Sequence, residues 1–215
     1  KGLVGSEMCI RDRGVSAYSP EVTFQMVENF KNGGAAINQL CKLANIKLLV
    51  IPIDLDKPTM DFSEEKAIKK DEVFSFMQVG FESVPSNCDL LILGEMGIAN
   101  TASASAISCA LFNEPVEEMT GIGTGINKDQ LSKKIKIIKS ALELHGKNFS
   151  DPASILSCYG GKEIAAIAGS VISARLKSIP VLLDGFISTA AASSLTLFKK
   201  RILDHNKVVI ENSKT

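Results

Sequence analysis

Asp89 to Thr101 reads DLLILGEMGIANT, and this stretch decides the fold class. Its first part, DLLIL (89–93), is a short unbroken apolar run, as expected of a strand buried inside a parallel sheet. Gly94-Glu95-Met96-Gly97 follows at the carboxyl end of that run. Asn100 to Phe112, dense in Ala, Ser and Thr, then reads as a tightly packed helix.

The arrangement recurs on either side. Lys47–Ile53 (KLLVIPI) and Ile179–Leu183 (IPVLL) are further apolar runs, the second leading into Asp184-Gly185-Phe186, and Val208–Ile210 suits a last strand. Helical patterns fill the intervals. Ser19-Pro20-Glu21 suits a helix start, with a capping hydroxyl, a proline at the first turn and an acid at the positive end of the dipole. Asn32-Gly33-Gly34 breaks that helix, and Ala35–Ala44 continues as a second. Lys70–Val84, Asp129–His145, the segment opened by Asp151-Pro152, Lys162–Lys177 and Ile187–Phe198 follow, with a capping pattern at Asn127–Gln130. Strands alternating with helices predict an α/β fold: a parallel, Rossmann-like sheet with helices on both faces. No repeat or linker divides residues 14–215, which read as one domain. In such sheets ligands lie beyond the carboxyl ends of the strands.

Composition narrows the function. Lys plus Arg and Asp plus Glu each number 24, so the formal charge is zero and the basic excess of a nucleic-acid binder is missing. Apolar runs such as Leu48–Ile53 are too short to cross a bilayer. The five cysteines, Cys9, Cys41, Cys88, Cys109 and Cys158, show no C-x-x-C spacing. They fit buried side chains of a reduced, cytoplasmic protein without a metal site.

Lys1–Arg13 (KGLVGSEMCIRDR) shows neither helical nor strand period. Its VGSEMCIRDR portion resembles translated sequencing-adaptor text, so residues 1–13 are expected to be a non-native tail outside the fold.

Chemistry concentrates at two glycine-containing segments and one acid. Gly94 and Gly97 permit close backbone approach, the helix start after them offers free N–H groups to an anion, and Glu95 adds a carboxylate. By spacing alone the segment serves equally as a tight capped turn. Gly121-Ile122-Gly123-Thr124-Gly125 is a second such loop. It is neither G-x-G-x-x-G nor a Walker sequence, but its amides suit a single phosphate. Lys134 lies beyond it, and by spacing reads as one more solvated lysine beside Lys128, Lys133, Lys136 and Lys139. Asp184, after an apolar strand, reads as a ligand contact or a helix cap. His145, at a helix end, reads as a dipole partner.

Together GVSAYSPEVTFQMVENFKNGGAAIN (14–38), LGEMGIANTASASAI (93–107), GIGTGI (121–126), GGKEIAAIAG (160–169) and IPVLLDGFISTAAA (179–192) resemble the nicotinate-nucleotide–dimethylbenzimidazole phosphoribosyltransferases. The resemblance extends over nearly everything from Gly14 onward. It implies a homodimer, a parallel α/β domain with a smaller helical part that is incomplete here, and no cofactor. It also implies transfer of ribose 5-phosphate from nicotinate mononucleotide to 5,6-dimethylbenzimidazole, yielding α-ribazole 5′-phosphate and nicotinate in assembly of the lower ligand of cobalamin. By this resemblance Glu95 supports catalysis, Gly97, Gly121 and Gly123 approach the substrate, Lys134 neutralises phosphate, Asp184 lines the ribose site and Ser19 lies near the benzimidazole. Two departures stand out: Ala102 follows Thr101 where a second Thr is commoner, and the family's general base, a glutamate in an E-G-x-G element, does not occur before Thr215. The chain is accordingly expected to be truncated at both ends and poorly active. The competing expectations are another sugar-phosphate transferase on the same scaffold, or a non-catalytic nucleotide- or benzimidazole-binding protein.

Overall fold

The computed structural model describes residues 2–5, 13, 16, 21–123 and 125–209. Among these, the strands β1 (Gly2–Gly5), β2 (Val50–Ile53), β3 (Leu91–Met96), β4 (Val181–Asp184) and β5 (Asn206–Val209) form one sheet. Its order is β2-β1-β3-β4-β5, and each neighbouring pair is parallel. The helices are α1 (Glu21–Lys31), α2 (Ala36–Leu43), α3 (Lys70–Glu82), α4 (Asn100–Phe112), α5 (Val116–Met119), α6 (Lys128–His145), α7 (Pro152–Tyr159), α8 (Lys162–Leu176) and α9 (Gly185–Ser194). The predicted parallel α/β class therefore holds.

Gly2–Gly5, within the segment that the sequence reading left out of the fold, is a strand of the sheet. It pairs with β2 on one side and with β3 on the other, Gly2 opposite Gly94 and Val4 opposite Met96. A strand between two partners is fixed by backbone hydrogen bonds on both edges, which require no side-chain period. The same pairing carries β3 past Leu93 through Gly94 and Glu95 to Met96, where the sequence suggested a turn.

The two faces of the sheet differ. On one, Leu91, Leu93, Val181 and Leu183 are buried in the main core with α8 residues Ile164, Ile167 and Val171 and α4 residues Ala104 and Ile107. Each such large side chain contributes about 1.5–3 kcal/mol on full burial. On the other face, Ile92 and Leu182 are only partly buried, so burial alternates where the continuous apolar runs predicted cover on both sides. Residues of α1 and α2 stand over that face across an apolar cavity of about 590 Å³.

Packing of α3 on α8 depends on two glycines. A Cβ on Gly80 would lie 1.7 Å from the Ala166 carbonyl oxygen, and one on Gly169 would lie 1.8 Å from that of Met77. Ser170 Oγ donates to the Gly80 carbonyl at 2.8 Å across the same crossing. The helix α4 is buried nearly all round, and its small residues let α9 and α6 approach. Ser105 Oγ donates at 2.7 Å to the Met119 carbonyl, tying α5 to it.

Candidate active site

The order 2-1-3-4-5 reverses between β1 and β3, and a crevice outside the carboxyl ends of the strands is expected at that point. Glu95 lies on β3 at that crevice, one residue before its end. A cavity of about 360 Å³ opens there, lined by Ser16, Glu95, Gly97, Asn100, Thr101 and Ile122 among others. The apolar cavity of about 590 Å³ adjoins it, because Glu95 and Met96 line both.

The glycine turn after β3 has a reason beyond flexibility. A Cβ on Gly97 would stand 2.6 Å from Glu163 Oε1 and 2.7 Å from Asn100 Nδ2. Ala99 adopts a left-handed conformation (φ 67°) and leads into α4 without a side-chain cap. The first amides of α4 thus border the cavity with the dipole's positive end.

Three acids gather at this end of the sheet. Asn100 Nδ2 donates to Glu95 Oε2, and also to Glu163 Oε1 at 3.2 Å. Burial first, then the neighbouring Glu163, push the Glu95 carboxyl up from 4.5 to about 8. Burial likewise raises Glu163, which is fully enclosed, to about 7. Asp184 ends β4 beside Gly94, whose Cβ position is 3.5 Å from its Oδ2, and its charge adds to the rise at Glu95. The Asp184 side chain is exposed, accepts no capping bond from α9 and lines the apolar cavity.

A positive charge lies behind Thr101, which lines the cavity. Lys134 on α6 is 1% exposed, whereas Lys128, Lys133, Lys136 and Lys139 of the same helix are exposed. The solvated reading from spacing is therefore overturned. Its Nζ donates to Thr101 Oγ1 at 2.8 Å and to the Gly121 carbonyl at 3.2 Å. Among the described residues no carboxylate pairs with it, and burial lowers the ammonium from 10.5 to about 8. An ammonium has three donors, so one remains after these two bonds to the described residues. Gly123 (φ 64°) would place a Cβ 3.3 Å from Thr101 Oγ1 and 3.6 Å from Lys134 Nζ, so the loop lies against both.

The structure thus brings Glu95, Gly97 and Ile122 of the glycine loop to the cavity; Lys134 lies behind its Thr101, bonded to that hydroxyl and to the Gly121 carbonyl, and Asp184 lines the adjoining apolar cavity. Ser19 lies outside the described residues. His145 donates from Nε2 to the Phe62 and Glu65 carbonyls (2.9 and 3.2 Å), away from the cavity. Sequence reasoning assigned no role to Glu163. Its signal was the Gly160-Gly161-Lys162-Glu163 run, which sets an acid at the first turn of a helix whose next seven residues, Ile164–Ser170, are apolar or small and buried.

Among the described residues no helix is long and apolar enough to cross a membrane. A family model described as phosphoribosyltransferase matches residues 5–208. A nicotinate-nucleotide–dimethylbenzimidazole phosphoribosyltransferase of Cereibacter sphaeroides is 47% identical over 196 residues, 91% of this chain and 58% of the relative. One of a Jannaschia species is 48% identical over 193 residues, 90% of this chain and 57% of the relative. The chain therefore spans well under two thirds of the length of these relatives. The crystal structure of CobT from Thermus thermophilus superposes with a TM-score of 0.89 at 30% identity, covering 96% of this chain and 68% of that one. Sheet, crevice and these matches together establish that the chain belongs to the phosphoribosyltransferase family that the matching model describes.

Proposed function

We propose that this chain binds nicotinate mononucleotide at the β1/β3 crevice and directs its ribose phosphate to 5,6-dimethylbenzimidazole. The observation that carries the reading is Lys134, a buried ammonium without a carboxylate among the described residues, set beside the start of α4 and the Gly121–Gly123 loop. A phosphate seated there gains the third N–H of the ammonium and the field of the helix dipole. The adjoining apolar cavity, lined by Phe30, Leu40, Leu43 and Met96, suits a flat aromatic base.

The reaction asks little of the protein beyond alignment. The glycosidic nitrogen of nicotinate mononucleotide is already a pyridinium. The C1′–N bond breaks with its electron pair passing to that nitrogen, which leaves as neutral nicotinate nitrogen. A benzimidazole nitrogen lone pair forms the new C1′–N bond, and the proton of the other nitrogen departs to a base. Glu95, shared by both cavities, stands where the two rings meet and presents a carboxyl group to the developing positive charge.

Thermal unfolding with and without nicotinate mononucleotide tests this. Ligand at about 100 times its dissociation constant stabilises by roughly 2.7 kcal/mol, about 5–10 °C for a domain of this size. The expected result is such a shift, lost in Lys134→Ala. An absent shift, or an equal one in the variant, contradicts the reading.

A further inference from the structure

Glu163 is a residue for which neither the fold nor the phosphate site accounts. It is the second residue of α8, is 0% exposed, and its Oε2 has no hydrogen-bond partner. Its carboxyl group fills the space that two glycines leave: a Cβ on Gly97 would lie 2.6 Å from Oε1, and one on Gly161 would lie 2.9 Å from both oxygens. A structural role alone would be met by an apolar side chain, since an enclosed oxygen without a partner costs free energy.

The carboxyl group meets its own backbone N–H and, across the turn, Asn100. The single Nδ2 of Asn100 carries two protons and donates to Glu163 Oε1 and to Glu95 Oε2. One amide thus links a carboxyl group beneath the turn to one on the cavity wall. Among the described residues the surrounding charges compensate the pair only in part. Lys162, next in sequence, favours the Glu163 carboxylate by its charge, but its Nζ is bonded to Asp54 Oδ2 (2.7 Å) and to the Asp54 and Lys57 carbonyls. Asp184, from the end of β4, adds a further negative charge, and from the turn itself only the Gly97 N–H offsets it at Glu95. Two carboxylates so enclosed cannot both ionise cheaply.

We propose that Glu163 is a positioning residue for Glu95: through the Asn100 amide it fixes the Glu95 carboxyl group on the cavity wall, and the two groups share one proton across the neutral range. The inference rests on the transferase reading for its consequence, a single negative charge held beside the reacting carbon. The proton-sharing itself is a property of the free protein.

The test is accordingly made without ligand. The side-chain carboxyl carbon of Glu95 is followed by NMR from pH 4 to 10 in the unchanged chain, in Glu163→Gln and, for Glu163, in Glu95→Gln. Glutamine keeps the shape and an oxygen for Asn100, so the fold is retained. In the unchanged chain the two groups are expected to titrate in two coupled steps. Glu163→Gln should leave Glu95 a single step at distinctly lower pH, because a neighbouring negative charge has gone. Coupling is reciprocal, so Glu95→Gln should lower the Glu163 step by a similar amount. A Glu95 titration unchanged by Glu163→Gln, or a shift in one direction without its reciprocal, overturns the inference. Nucleotide-induced stabilisation of the unchanged chain is a separate measurement, so failure of the transferase reading is distinguishable from failure of this one.

Discussion

Replacing Lys134 by Met should leave the stability of the free protein nearly unchanged while removing its affinity for the nucleotide. Nζ is enclosed with two neutral acceptors, the Thr101 hydroxyl and the Gly121 carbonyl. Burial holds the ammonium down from 10.5 to about 8. The sign follows from linkage: between those values the unfolded chain binds the proton more tightly than the fold does, so stability rises with pH across the window, and the cost is full below pH 8. That depression corresponds to roughly 3 kcal/mol of unfavourable burial at neutral pH. Methionine removes the cost and nearly preserves the volume. It forfeits two hydrogen bonds donated by the charged ammonium, each of at least about 1.5 kcal/mol. The two terms nearly cancel, so Tm at pH 7 should change by no more than about 2 °C. Differential scanning fluorimetry measures this directly, with nicotinate mononucleotide then added to both proteins. A nearly unchanged Tm with no response to the nucleotide fits a cation held for an anionic ligand. A fall of several degrees in the ligand-free variant would refute the reasoning, because Lys134 would then be a net-favourable strut between α6, Thr101 and the loop.

Three further outcomes follow from the geometry. Glu95 and Glu163 are raised from 4.5 to about 8 and about 7, so their contribution to stability is full below pH 4.5 and is lost as pH rises through 7 and 8; the urea midpoint should fall between pH 5.5 and 8.5, less so in Glu163→Gln, and a flat profile would contradict both assignments. Gly169→Ala places a Cβ against the Met77 carbonyl and should cost roughly 2 kcal/mol, about 4–8 °C in Tm; a change under about 1 °C would show that the two helices part freely. Lys162→Met strips donors from Asp54 and Lys57, and amide hydrogen exchange just after β2 should quicken about tenfold or more; unchanged protection would mean that the loop is held by other contacts.

Local chemistry was the legible part of the fold. Asn127 caps α6 and exchanges bonds with Gln130 as the capping pattern predicts, and Asp151 caps α7 ahead of Pro152. Asn32-Gly33-Gly34 separates α1 from α2, with Gly33 at φ 73°. The short α5 was not anticipated, because four residues carry no period. Segment 2–5 was missed for a different reason: its place is decided by pairing with β2 and β3, which a local reading cannot supply.

The site divides in the same way. Glu95, Gly97 and Asp184 were singled out because the carboxyl ends of strands are where such folds place ligands, and the structure brings them to that end of the sheet. The glycine loop was recognised by its composition. Lys134 could not be told from its neighbours by spacing, since its burial depends on Thr101 and Gly121, 33 and 13 residues away in sequence. Glu163 was passed over because its contact with Asn100, 63 residues distant, across a gap that Gly97 and Gly161 leave open, is not visible in a local reading.

The central claim is that the β1/β3 crevice recognises a phosphorylated nucleoside through Lys134. Isothermal titration calorimetry with nicotinate mononucleotide, and then with nicotinate riboside lacking the phosphate, tests it most directly. The account predicts that the nucleotide binds at least about tenfold more tightly than the riboside, since a hydrogen bond to a charged group is worth about 1.5–3 kcal/mol. Equal affinities, or no binding of the nucleotide at all, would contradict it.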